Sequence, residues 1–250
     1  MPGTDWIRIF EELSMNALPA LQTNIYDGWV LRFADGYTNR ANSINPIYPS
    51  NEDLSNKIKS VYQIYRSRNL KTVYKLTKQA IPENLDETLE KNGYILAGLT
   101  GVQVLSLKDT VVEVKHKAVI FYKFNENWFN HYCHLNNISE NNTLTLASML
   151  KNIVAKAAYF LLQDNDGEIV ACGMCVLERD YIGLFDIVTA NKHRNKGLGT
   201  ILIQNILHWG KENGANYAYL QVMLNNEPAL KLYSKMGFKE VYQYWYRSKE

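Results

Sequence analysis

The sequence predicts an α/β protein built in two related parts. Three observations carry that reading. Beyond residue 110, stretches with strand-like and helix-like apolar spacing alternate along the chain. A basic, glycine-containing stretch, "HRNKGLGT" (residues 193–200), stands between an apolar strand and an apolar helix. The first 108 residues repeat part of the later order at an offset of 144.

The elements follow in order. "NENWFNHYCHL" and "TLTLASMLKNIV" have helical apolar spacing. "AYFLLQDNDGEIVACGMCVL" reads as two strands around Asp164-Asn165-Asp166-Gly167, residues that hairpin turns prefer. "YIGLFDIVT" is a further strand, and a helix runs from about Leu198 to Glu212, with Gly214 marking its end. "YAYLQVML" is a strand, "PALKLYSKM" a helix with proline at its start, and "FKEVYQYWYR" a last strand after Gly237.

The repeat sets Gly93-Tyr94 against Gly237-Phe238, Leu54 against Leu198, Asn69 against Asn213 and Tyr37 against Tyr181. Few residues are identical, but helix, strand, helix, Gly-aromatic and strand recur at the same lengths. The copies differ at the loop: Gly197 and Gly199 correspond to Asp53 and Ser55, and Arg194 to Ser50. The first copy is expected to have lost the later loop's ligand. The expected domains are 1–108 and 109–250, with the boundary near Lys108-Asp109.

Composition excludes several classes. Hydrophobic residues make up 46% of the 250 and charged residues 21%, an ordinary globular balance. A net charge of +2 is too small for a dedicated nucleic-acid binder, and glycines follow the one basic run, "NKHRNK". No apolar run approaches the roughly 20 residues that span a bilayer. The start, Met1-Pro2-Gly3-Thr4-Asp5-Trp6, lacks the features of a secretory signal. Three cysteines make no disulfide framework, so a cytoplasmic location is expected. Cys172 and Cys175 match C-x-x-C but lie on a strand, where residues three apart face opposite ways. His131 and His134 share a helix face without further ligands at metal spacing. No metal is expected.

Glycines at 197 and 199 clear side chains from the backbone and permit conformations that aim successive N–H groups one way. The helix starting at Leu198 adds uncapped N–H groups and the positive end of its dipole. Arg194 and Lys196 add charge, with Lys192 and His193 just upstream. Such a loop suits a phosphate or pyrophosphate. It is not a P-loop, because Thr200-Ile201 follows Gly199 where that motif needs lysine. It is not a dinucleotide fingerprint, because Leu202 stands where a third glycine is needed.

Arg194-Asn195-Lys196-Gly197-Leu198-Gly199 resembles the R/Q-x-x-G-x-G/A signature of the GNAT superfamily of acyl-CoA-dependent N-acetyltransferases. Asn226-Glu227-Pro228-Ala229-Leu230-Lys231-Leu232-Tyr233, then Gly237-Phe238, is similar to that superfamily's N-x-x-A-x-x-L-Y…G-F pattern. "GWVLRFADGYTNRANS" resembles a two-part bacterial subgroup. The resemblance covers residues 110–250 well and implies a mixed, splayed sheet flanked by helices, preceded by a smaller degenerate GNAT-like α/β domain.

It also implies acetyl transfer from acetyl-CoA to a primary amine by direct attack. The backbone of Arg194, Asn195, Lys196, Gly197, Leu198, Gly199 and Thr200 would hold the pyrophosphate. Ile187, Val188 and Thr189 would lie beside the pantetheine arm, with an N–H near Ile187 or Val188 polarising the thioester carbonyl. Asn226 would bond the cofactor or cap its helix. Tyr233, with a phenol pKa near 10, is the candidate general acid. Asp186 lies in an apolar strand, two residues before Val188; it is the candidate base, either directly or through water, or else makes a structural hydrogen bond to a neighbouring loop. Glu178 is a weaker candidate. Trp128, Tyr132, Tyr244 and Trp245 are core aromatics or the lining of an acceptor pocket. The rival reading is a non-catalytic acyl-CoA sensor or assembly module, which would keep the loop and lose the acid and base.

Overall fold

The structure is a computed structural model that describes residues 5–108, 110–114 and 116–250. Asp109, on the expected domain boundary, and residues 1–4, read above for a signal, lie outside the described residues. The chain divides into two compact units. One comprises the residues up to Gly101 together with Tyr242–Glu250, and the other is Val102–Val241.

The first unit opens with α1 (Trp6–Ala17), capped by the Asp5 side chain, which accepts from the Arg8 N–H at 3.1 Å. Strands β1 (Gln22–Tyr26) and β2 (Trp29–Phe33) form a hairpin. Its two-residue turn, Asp27-Gly28, has φ of +42° and +81°, the geometry that an Asp-Gly pair favours. Then come β3 (Ile44–Pro46), α2 (Leu54–Arg66), β4 (Thr72–Thr77) and α3 (Leu85–Lys91). Strand β5 (Ile95–Ser106) follows and runs through the division. The core of this unit is aromatic: Tyr74 meets both Trp29 and Tyr94 edge-on, with ring centroids 5.5 Å apart in each case.

In the second unit β6 (Val119–Phe121) is followed by α4 (Glu126–Asn136), α5 (Glu140–Lys151), β7 (Lys156–Gln163), β8 (Ile169–Glu178) and β9 (Tyr181–Thr189). A 3-10 turn over Asn191–His193 leads through the loop to α6 (Leu198–Glu212), β10 (Tyr217–Met223) and α7 (Glu227–Lys235). The strand order is β10-β9-β8-β7-β6, with β10 and β9 parallel and the other pairs antiparallel. Helix α6 buries Leu202, Ile203, Ile206 and Leu207. It lies so close to β9 that a Cβ at Gly210 would come within 2.7 Å of Ile182 Cδ1.

The last strand, β11 (Lys239–Lys249), belongs from Tyr242 onward to the first unit. There it pairs antiparallel with β4, from Tyr244 opposite Thr77 to Lys249 opposite Thr72. Arg247 forks onto Asp86 of α3, with Nε 2.9 Å from Oδ1 and Nη2 3.1 Å from Oδ2. Trp245 donates to the same carboxylate at 2.8 Å.

The repeat is visible in the elements themselves. Helices α2 and α6 begin at Leu54 and Leu198, and α3 and α7 end at Lys91 and Lys235. Strands β5 and β11 begin at Ile95 and Lys239. Gly93 and Gly237 both take positive φ, +80° and +90°. The correspondence fails at Tyr37, whose partner Tyr181 opens β9. Tyr37 itself lies in the connection between β2 and β3.

Candidate active site

The second unit is irregular at one place along β9. Cys172 pairs with Val188 and Met174 with Phe185, so Gly173 alone faces both Asp186 and Ile187. The extra residue is a β-bulge. Asp186 absorbs it at φ +54°, a left-handed conformation that aspartate tolerates better than most residues. Gly173 opposite it leaves room for the Ile187 side chain, since a Cβ there would lie 2.6 Å from Ile187 Cδ1.

On its other side β9 meets β10 only at Tyr181–Gly183, opposite Tyr217–Tyr219. Among the described residues the ladder goes no further, although β9 continues to Thr189 and β10 to Met223. The rings of Phe185 and Tyr219 crowd the end of the ladder. A Cβ at Gly183 would come within 2.5 Å of the first and 2.6 Å of the second. This is the splay that the resemblance implies, and it opens alongside Ile187, Val188 and Thr189.

The loop that leaves β9 is held by three backbone features. The 3-10 turn is followed by Asn195 at φ +62° and Gly197 at φ +80°. Gly197 is the N-cap residue of α6 and contributes no side-chain cap. The first-turn N–H groups therefore keep their capacity for an anion. Arg194, Asn195, Lys196 and Gly197 are exposed, and Leu198, Gly199 and Thr200 are partly buried.

The two glycines of the loop have different surroundings. Nothing lies within 4 Å of a Cβ at Gly197, so glycine serves the positive φ there. A Cβ at Gly199 would stand 3.3 Å from Leu232 Cδ2, so that glycine serves the packing of α6 on α7. The two basic residues just upstream lie against a carboxylate. Glu168 takes Lys192 at 2.6 Å and lies 3.7 Å from His193, leaving Arg194 and Lys196 as the loop's outward charges.

Asn226 caps α7, its Oδ1 accepting from the Ala229 N–H at 3.3 Å. Tyr233 is buried on that helix, edge-on to Phe238 at 5.9 Å. Burial pushes its phenol up to about 12. Asp186 is partly buried, with its Oδ2 atom inside the protein. Its charge adds to burial in raising the Cys133 and Cys172 thiols and in pushing the Tyr159 phenol up to about 12. Asp186 therefore lies near Cys133 of α4, Tyr159 of β7 and Cys172 of β8, whereas Tyr233 sits on α7. Glu178 pairs with Tyr181 at the opposite end of the β8–β9 ladder from the loop.

Of the aromatic candidates, Trp128, Tyr132 and Tyr244 are buried and Trp245 is partly buried. Trp128 is fully buried and stacks on Tyr132 at 5.2 Å. Tyr244 and Trp245 belong to the first unit, where Trp245 is tied to Asp86. Cys172 and Cys175 are buried free thiols. His131 and His134 line an open cleft with Glu168 and Lys192. Among the described residues the ligating side chains that cluster are instead Asp164, Glu168 and His193. Sequence spacing did not reveal that group, which the β7–β8 hairpin brings to the 3-10 turn. No helix of the described residues is long and apolar enough to cross a membrane.

A parallel pair that parts after three residues, with a bulged strand leading into a positive-φ glycine and a helix, defines a GNAT-class acetyltransferase fold. Comparison with known proteins makes this specific. The family described as "Probable histone acetyltransferase Rv0428c C-terminal" matches residues 4–247, and the chain belongs to that family. It is 28% identical over 250 residues to the uncharacterized N-acetyltransferase YobR of Bacillus subtilis, covering 98% of this chain and 99% of that protein. An N-alpha-acetyltransferase of Sulfurisphaera tokodaii is 35% identical over 97 residues, 34% of this chain and 58% of that protein. The fold matches a GCN5-related N-acetyltransferase from Kribbella flavida with TM-score 0.73 at 15% identity, over 97% of this chain and 95% of that one. It also matches a tandem GNAT protein from the clavulanic acid biosynthesis pathway, with TM-score 0.64 at 11% identity, over 96% and 87% of the two chains.

Proposed function

We propose that the protein transfers an acetyl group from acetyl-CoA to a primary amine by direct attack, in the cytoplasm. The observation that carries this is the splay beyond Gly183 and Tyr219, which opens beside a loop with an uncapped helix N-terminus. When bound, acetyl-CoA supplies the activated acyl group and a thiolate leaving group. The loop Arg194–Thr200 offers backbone N–H groups and two outward cations to its pyrophosphate. The edge at Ile187, Val188 and Thr189 offers amide partners to the pantetheine arm, and an N–H there polarises the carbonyl.

Asp186 is the proposed base, acting directly or through water. Tyr233 is the proposed acid, a phenol that is protonated at neutral pH and would donate to the departing sulfur. Asn226 shapes the cofactor edge by capping α7. Direct attack is favoured over an acyl-cysteine, because burial raises all three thiols and disfavours the thiolate nucleophile.

Thermal unfolding with and without acetyl-CoA tests the cofactor. Wild type is expected to be stabilised and Gly197→Glu not; no shift for wild type rejects the reading. An amine-library screen that monitors free CoA thiol then identifies the acceptor class.

A further inference from the structure

The first unit was expected to have lost the anion loop. Its donors are still there, and they are occupied. Ser50, Asn51 and Glu52 stand where Arg194, Asn195 and Lys196 stand 144 residues later. The Asn51 N–H donates to both carboxylate oxygens of Asp27, at 3.1 and 3.0 Å. The Glu52 N–H donates to Asp27 Oδ2 at 2.9 Å, and the Ser50 hydroxyl donates to the same oxygen at 2.9 Å. The Lys57 ammonium completes the set, 2.9 Å from Oδ2 and 2.6 Å from Ser50 Oγ.

Two successive backbone amides ahead of a helix, a hydroxyl and an ammonium thus converge on one carboxylate. That is the donor set of an oxyanion cradle. Lys57 is fully buried and lies over the Trp29 ring at 4.1 Å, so its charge has no solvent to satisfy it. The Glu52 amide and Lys57 hold the Asp27 carboxyl well below the usual carboxylate range, so the anion is present at any working pH.

The backbone delivers this anion. The Asp27-Gly28 turn is pressed against the loop so closely that a Cβ on Gly28 would come within 2.0 Å of the Pro49 carbonyl oxygen. The Tyr48 N–H donates to the Gly28 carbonyl at 3.3 Å. Meanwhile Asp53 caps α2, accepting from the Asn56 N–H at 3.0 Å.

We infer that the first unit retains an oxyanion cradle at the counterpart of the Arg194–Gly199 loop, and that the chain fills it with its own Asp27 carboxylate. Without that carboxylate the site would take inorganic phosphate. With it, this half is closed to phosphate ligands. The inference does not depend on what the later loop binds.

The test separates a filled cradle from a simple ion-pair staple. Asp27→Gly suits the positive φ of the turn and removes only the carboxylate. The double variant Asp27→Gly/Lys57→Met also removes the buried cation. Full-length wild type and both variants are unfolded thermally in inorganic phosphate and in chloride of matched ionic strength. Asp27→Gly is expected to show a saturable, phosphate-specific rise in midpoint, at least roughly double that of wild type. The double variant is expected to respond like wild type. Equal phosphate responses in all three proteins would overturn the inference, as would an extra response that survives loss of Lys57. If Asp27→Gly is unfolded in chloride, cooperative unfolding regained in phosphate supports the cradle. An unfolded protein in both salts rejects it.

Discussion

Trp128 donates its indole N–H to the Gly173 carbonyl at 3.1 Å, on the one β8 residue that faces both bulged residues of β9. The bond ties α4 to the place where the ladder loses its regular pairing. Trp128→Phe keeps a ring and removes the donor to this carbonyl. It is expected to lower stability by about 1–3 kcal/mol. Urea unfolding measures this, and a midpoint equal to wild type would show that the bulge does not need the indole.

Gly197 and Gly199 should respond differently to substitution. Gly197→Ala meets no neighbour but forces a side chain to φ +80°, at a cost of about 1–2 kcal/mol. Gly199→Val instead drives into Leu232 and costs about 1–3 kcal/mol through overpacking. Isothermal titration with acetyl-CoA alongside denaturation separates binding from stability. A Gly197→Asn protein, whose residue tolerates positive φ, should be more stable than Gly197→Ala; equal stability would discount the positive-φ cost at Gly197.

Tyr233→Phe should lower turnover while leaving cofactor affinity near wild type. Burial raises the folded phenol from about 10 to about 12, so the acid form persists across the neutral and mildly alkaline range. The same shift makes Tyr233 favour folding below pH 10. That contribution falls as pH rises from about 10 toward 12, where only the unfolded phenol ionises. An alkaline limb in kcat near pH 8 that survives in Tyr233→Phe would belong to another group.

Arg247 and Asp86 join the last strand to α3 within the first unit. Hydrogen bonding to Arg247, and then to Trp245, depresses the Asp86 carboxyl. A depressed carboxyl stabilises above its unfolded pKa, about 4, and loses that contribution as pH falls through the folded value. Arg247→Met should therefore move acid unfolding of this unit to higher pH and cost about 1–3 kcal/mol near neutrality. Circular dichroism against pH reads the shift, and superimposable acid limbs would discount the pair.

Much of this was legible in the chain because local signals wrote it. Gly197, the apolar spacing after it and Gly214 mark α6 at both ends, and Leu54 opens its counterpart at the same offset. The Asp27-Gly28 pair is a turn signal in the sequence, but its meaning lies in the loop at Ser50–Glu52 that it meets, which no local pattern records. The bulge left one trace, a glycine within the apolar strand at 173, which propensity alone reads as ordinary. The partner of β11 left none. Strand pairing between Tyr244 and Thr77 depends on contacts far apart in sequence, and no local pattern records them. Trp128 shows the converse limit, since spacing placed it on a helix face without saying that its indole would hold the sheet.

The return of Tyr242–Glu250 to the first unit has a consequence for how the protein is made. Until those residues leave the ribosome, Thr72–Thr77 lacks the neighbour on one side that the finished fold provides. A nascent or prematurely ended chain would carry an open strand edge in its N-terminal half, the kind of surface that invites pairing with other chains. Pairing of Tyr244–Lys249 with Thr72–Thr77 is thus what covers that edge.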